Sequence, residues 1–203
     1  MAQNLRKKAF ILSIFTVSYN IFEGIASIIA GVLSNSIALK GFGIDSFIES
    51  ISGAVMIWRF RKQDEITDEE EERIERIAQN LVAISFFILS AYILYESISK
   101  LYFKDITEPS ILGLIIIIMS IIVMPVLFYL KHKTGKSLGS KSLIADSKET
   151  LACLFLSVAV LLGISLNFFF GFWQADPIAA ILIAIYLIVE GIRTLRELSE
   201  SNI

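Results

Sequence analysis

The chain has 203 residues, of which 55 % are hydrophobic and only 19 % charged, and its formal net charge is −2. A mean hydropathy of +0.71 is more than a soluble domain of this length can keep off its surface, so the composition places the chain in a lipid bilayer. Basic residues fall in short clusters between apolar runs, which argues against nucleic acid as a partner, and the single cysteine, Cys153, excludes an intramolecular disulfide framework or a CxxC metal knuckle.

The N-terminal MAQNLRKKAFILSIF joins a basic flank to an apolar run as a signal peptide does, but the run continues to Val32 with no convincing cleavage site and reads as a first span. Crossing ~30 Å of hydrocarbon takes about 20 helical residues. Six runs meet that length, at 9–32, 37–58, 77–98, 111–130, 143–166 and 177–195. The fourth, ILGLIIIIMSIIVMPVLFYL, is apolar all round, where a barrel strand would alternate, and reads as a lipid-exposed helix. The expected class is all-α and polytopic, with six transmembrane helices.

Between the second and third runs lies RFRKQDEITDEEEERIERIAQN, in which Thr67 and Glu70 have capping-box spacing and Asp68 to Glu72 sit at the positive end of the next helix. It reads as a solvated helix start; a cytoplasmic cation-collecting patch is the functional alternative. Lys and Arg fall mostly on one side of the spans: Arg6, Lys7 and Lys8, then Arg59 to Arg76, then Lys131, Lys133, Lys136 and Lys141, then Arg193 and Arg196. Only Lys40, Lys100 and Lys104 lie on the other side, which puts both termini in the cytoplasm of a multi-pass protein, with the plasma membrane as the expected location. FFFGFW before the sixth run fits an outer aromatic belt. With no linker or low-complexity tract, 1–203 reads as a single transmembrane domain, leaving no room for a soluble enzyme domain.

Charged side chains inside a span cost a few kcal/mol each on insertion scales, so each one is a functional hypothesis. In IDSFIES of the second run, Asp45 and Glu49 are four residues apart and share a helix face. In IADSKETLAC of the fifth, Glu149 and Cys153 repeat that spacing, and Asp146 lies one turn before Glu149. The two runs are antiparallel by count, so the pairs can face each other as a tetrahedral metal cage. Carboxylates with a thiolate suit zinc, and carboxylates alone also accept manganese or iron(II). Taken singly, Cys153 is more often a small hydrophobe, and Glu149 could pair with Lys148; taken together, three carboxylates converging without a cation would repel. Asn20 and Glu23 share a face of the first run and are expected to orient the primary ligands or relay protons, with Asp146. Asn80 and Glu190 are secondary candidates, and His132, in KHK, is expected to be solvated.

At these residues the sequence resembles the cation diffusion facilitator family of metal/proton antiporters. SNSIALKGFGIDSFIES is similar to that family's second helix, SLIADSKETLAC to its fifth and FWQADPIAAILIAIYLIVEGI to its sixth with an A-D-P start. The resemblance implies the cation-efflux transmembrane fold, a secondary transporter and not an enzyme, no prosthetic group, and divalent metal ions and protons as partners; dimerisation through the family's cytoplasmic domain does not carry over, and a homodimer through the membrane part is compatible with the reading. This chain departs from the family in placing Glu149 and Cys153 where the fifth helix usually has His or Asp followed by Asp, and it resembles the short branch without a cytoplasmic C-terminal domain. Because ligands must lose protons to coordinate, metal export coupled to proton uptake by alternating access is the expected mechanism. The rivals are a proton or organic-cation transporter or channel, and a non-transporting membrane scaffold.

Overall fold

Inside hydrocarbon no water is present to satisfy backbone N–H and C=O groups, so long apolar segments close their hydrogen bonds internally as helices. In the computed structural model, residues 2–62 and 67–200 are described, and they form six helices: α1 (Ala2–Leu33), α2 (Ile37–Lys62), α3 (Asp68–Phe103), α4 (Ile111–Leu138), α5 (Lys141–Phe170) and α6 (Ala175–Glu200). The Thr67 hydroxyl accepts the Glu70 N–H at 3.3 Å, half of the capping box read from the sequence. Side chains of Asp68, Glu71 and Glu72 lie outside the described residues, and with them the suggested cation-collecting patch. Ser110 and Ser140 cap α4 and α5 by accepting from Gly113 and Leu143 N–H at 3.0 and 3.3 Å. Gly139 and Gly171 end the same helices in the left-handed conformation, at φ 66° and 63°.

Five of the six helices are long and apolar enough to cross a membrane: Gln3–Leu33, Ala83–Phe103, Ile111–Leu138, Ser142–Phe170 and Ala175–Arg196. The chain is an integral membrane protein on that evidence. The exception is α2, whose Lys40, Asp45, Glu49 and Arg59 lower its hydropathy. Protein surrounds it: α1 packs along it, and α3, α5 and α6 cover its other sides. A charged helix is thereby flanked by four apolar ones, while large side chains such as Phe22, Ile88, Ile115, Ile122 and Phe155 point outward.

The helices group as α1, α2, α4 and α5 on one side and the closely packed pair α3 and α6 on the other, joined mainly across α2 and α5. Small residues set the tightest approach. A Cβ on Gly43 would stand 2.9 Å from the Gly24 carbonyl oxygen, so α1 and α2 touch backbone to backbone there.

The structure moves one boundary that matters. α4 runs to Leu138 instead of stopping near 130, so Lys131 and His132 belong to the helix and not to a connecting loop. Lys131 is fully buried, and His132 is half-buried, with its ring stacked on Phe128 and its Nδ1 3.2 Å from the Ser147 hydroxyl. The expectation of solvated side chains fails because the hydrogen-bonded helix continues past the last apolar residue.

At the opposite end, Asp176 in the first turn of α6 ties the bundle together. Its carboxylate accepts the Ile37 N–H at 3.0 Å, the Ser36 hydroxyl and the Thr107 hydroxyl at 3.3 Å, and pairs with Lys100 at 3.7 Å. It therefore caps α2 from another helix, fixing the height at which Asp45 and Glu49 sit. Replacing Asp176 by Ala leaves the Ile37 N–H at the start of α2 without its buried acceptor and takes the carboxylate from Lys100, which keeps the Asn35 carbonyl. We expect a loss of about 3 kcal/mol, read as a lower thermal midpoint of the detergent-solubilised protein, with Asp176→Asn intermediate.

Candidate metal site

The spacing of four in α2 places Asp45 and Glu49 on one buried face, each 5 % exposed, and that face meets α5. Asp45, Glu49 and Glu149 line a common cavity of about 20 Å³, together with Phe86, Ala152, Leu156, Tyr186, Leu187 and Glu190. That is room for about one water or one small ion. It lies between the four-helix group and the α3–α6 pair, since Phe86 and Tyr186 come from the pair.

The carboxylates there are incompletely satisfied. Glu49 Oε1 accepts the Thr150 hydroxyl at 2.7 Å, whereas Glu49 Oε2 and Glu149 Oε2 are buried without a hydrogen-bond partner. A buried carboxylate oxygen lacking a donor is costly unless a cation or proton completes it, and two at one cavity fit a cation ligand set. Cys153 is 1 % exposed and does not line the cavity, so three acids of the expected quartet share this space and the sulfur does not. Among the described residues, no three His, Cys, Asp or Glu side chains are close enough together to hold an ion as they stand.

Asp146 turns away from this cavity. Its Oδ2 pairs with Lys131 Nζ at 2.8 Å and its Oδ1 accepts the Ser52 hydroxyl at 3.2 Å. Lys131 also donates to the Thr150 hydroxyl at 2.9 Å, which in turn donates a hydrogen bond to Glu49, so lysine, threonine and glutamate form one hydrogen-bonded line. Sequence reading missed Lys131, yet a signal was there. Ile117, Ser120, Met124, Leu127, Lys131 and Thr134 follow the alternating three and four spacing of one buried helix stripe. The uniformly apolar run hid the stripe, and the basic residues after it read as topology markers.

On α1, Asn20 and Glu23 are both buried. Glu23 Oε2 accepts from Ser46 at 3.1 Å, between Asp45 and Glu49 in sequence, while both amide atoms of Asn20 lack a hydrogen-bond partner. Glu23 therefore braces α2 beside the primary acids and does not join them at the cavity. Glu190 does line it, from the half-exposed side, 3.7 Å from Arg193. Asn80 is exposed and donates to the Arg76 carbonyl, away from the acids, and Lys148 is exposed and leaves Glu149 to the cavity.

Converging carboxylates are held together against their own repulsion and desolvation. Neutral isosteres relieve that cost, so Asp45→Asn and Glu149→Gln should each raise the metal-free thermal midpoint, corresponding to about 1 kcal/mol of added stability. Unchanged or lowered midpoints in both variants would show that the acids are not in mutual opposition.

Residues 13–201 match the sequence model of the cation efflux transmembrane domain. The chain is 25 % identical over 198 residues to transmembrane protein 163 of Xenopus laevis, covering 97 % of this chain and 69 % of that protein. It is 29 % identical over 168 residues to the magnetosome protein MamB of Magnetospira sp., covering 81 % and 57 %. To the cadmium, cobalt and zinc/H(+)-K(+) antiporter of Bacillus subtilis it is 25 % identical over 195 residues, covering 93 % of this chain and 61 % of the antiporter. The chain thus spans well under two thirds of the length of the last two relatives.

Proposed function

Because the chain belongs to the cation efflux family, we propose that it carries divalent metal ions across the membrane through the cavity lined by Asp45, Glu49 and Glu149. The observation that carries this reading is the meeting of three carboxylates from antiparallel helices at one small cavity, with two of their oxygens unpartnered. A cavity of about 20 Å³ suits a bare ion and is too small for an organic cation. Zinc is the first expectation, since it accepts a carboxylate and thiolate set; Cys153 reaches the ion once Glu49 and α5 close upon it. Softer ions such as cadmium gain most from that sulfur, and manganese or iron(II) least.

Coordination needs deprotonated ligands, so loading the site releases protons and unloading takes them back. That supports antiport of a metal ion against protons, in line with the antiport for which the Bacillus subtilis relative is named. The cavity lies at the seam between the α3–α6 pair and the other four helices, and rocking across this seam opens it to one side at a time. By the distribution of Lys and Arg, Glu190 lies toward the cytoplasm, where it receives the incoming ion. Glu23 and Asn20 lie behind the primary acids and serve proton movement or the orientation of α2. Both termini cytoplasmic, a plasma-membrane location and a homodimer through the membrane part complete the reading.

In purified protein, zinc titration should show saturable binding that Asp45→Ala and Glu149→Ala each weaken by about 100-fold or more, since even residues behind a metal site contribute up to that factor. Cys153→Ser should cost cadmium and zinc more than manganese. Binding that survives both alanine substitutions intact would remove the site; a scaffold would bind nothing from the outset.

The pH dependence has a fixed sign. Protons compete for the same oxygens, so apparent zinc affinity should fall as pH falls, and zinc uptake by proteoliposomes should be accompanied by proton efflux, recorded with a trapped pH dye. Zinc flux without a pH change would leave transport standing and exclude antiport.

A further inference from the structure

The buried acids of α2 and α5 divide into two groups. Asp45, Glu49 and Glu149 line the cavity, whereas Asp146 faces a side chain of α4. That side chain is Lys131, 0 % exposed, with its ammonium 2.8 Å from Asp146 Oδ2 and 2.9 Å from the Thr150 hydroxyl. Thr150 in turn donates to Glu49 Oε1 at 2.7 Å, which leaves Oε2 as the oxygen of Glu49 without a hydrogen-bond partner. The ammonium of Lys131 thus contacts Asp146 directly and Glu49 through one bridging hydroxyl.

We propose that Lys131 is a tethered counter-cation of the metal site, which withdraws Asp146 from the ligand set and opposes the incoming ion with a fixed positive charge. The inference deepens the transport reading and rests on it. Four acids without a lysine would offer a divalent ion a strongly attractive well, and an ion held too firmly is not released on the other side. One ammonium beside them reduces the net negative charge of the group, and in a low-dielectric interior a unit charge at this range outweighs any single hydrogen bond. Through Thr150 the same ammonium holds one oxygen of Glu49, so the residue also sets which oxygen meets the cargo. Lys131 touches no cargo itself; it is a positioning and charge-setting residue. Arg59 donates to the Ser140 hydroxyl at 3.1 Å, at the cap of α5.

The test is zinc titration of the detergent-purified chain and of its variants, with zinc release from preloaded proteoliposomes as the second readout. Lys131→Met should bind zinc at least tenfold more tightly and release it more slowly, whereas Lys131→Arg, which keeps the charge, should stay close to the parent. The paired variant Lys131→Met with Asp146→Asn restores the net charge, so its affinity should return toward the parent value even if the single variant is less stable. Thr150→Val should leave the affinity within a few-fold, since the charge remains. Affinity in Lys131→Met that is unchanged or weaker, and is not restored in the paired variant, overturns the proposal while leaving the transport reading intact. If parent and Lys131→Met both bind no zinc, the transport reading fails and this inference with it.

Discussion

A carboxylate inside a bilayer persists only where protein donors or a cation replace the water it has lost, and the arrangement of the six helices follows from meeting that demand for α2 and α5. The lipid-facing surface is ordinary, with large apolar side chains on the outside of α1, α3, α4, α5 and α6. The interior is the unusual part. Ser13, Thr16, Asn20, Glu23 and Ser27 run along one buried face of α1, and Ser46 and Ser50 continue the polar lining on α2. Ser120 and Ser157 join α4 to α5 at 2.9 Å. Small hydroxyl residues let helices approach while supplying hydrogen bonds, so the polar seam serves both packing and solvation of the acids.

Two fixed points hold α2 within this interior. Asp176 secures its first residue from α6, and the close approach of Gly43 to Gly24 secures its second turn against α1. Neither contact involves the cavity, yet both act on the turns that lead into Asp45 and Glu49 and limit how far that part of the helix can slide or rotate. The A-D-P sequence at the start of α6 thus acquires a physical role: its aspartate is a helix cap supplied across the bundle.

The helical architecture was legible because membrane thickness converts directly into run length, and because a missing alternation excluded barrel strands. Asp45, Glu49 and Glu149 were legible for a related reason: a charge in an apolar run is conspicuous, and spacing of four on a helix settles which of them share a face. The pairing of buried groups was not legible. Lys131 follows an apolar run in which every position looks alike, so the stripe it belongs to emerges only when burial is known. Cys153 has the right spacing but does not line the cavity, and spacing alone does not say which of two residues on a face reaches a cavity. The separation of Asp146 from the other acids depends on α4, a contact between helices that no local pattern in α5 encodes.

The division into a four-helix group and the α3–α6 pair gives the cavity a mechanical setting. Glu49 is backed by α5 and α4 through Thr150 and Lys131, and α2 is tied to α1 through Ser46 and Glu23, so these acids belong to the four-helix group. Phe86, Tyr186 and Leu187 form the opposite wall and belong to the pair. The pair is tied to the group at one end by Asp176, whose bonds to Ser36 and Ile37 join α6 to α2, so a relative movement that keeps these bonds pivots about that end and acts mainly at the cavity, where Phe86, Tyr186, Leu187 and Glu190 face the acids of the group.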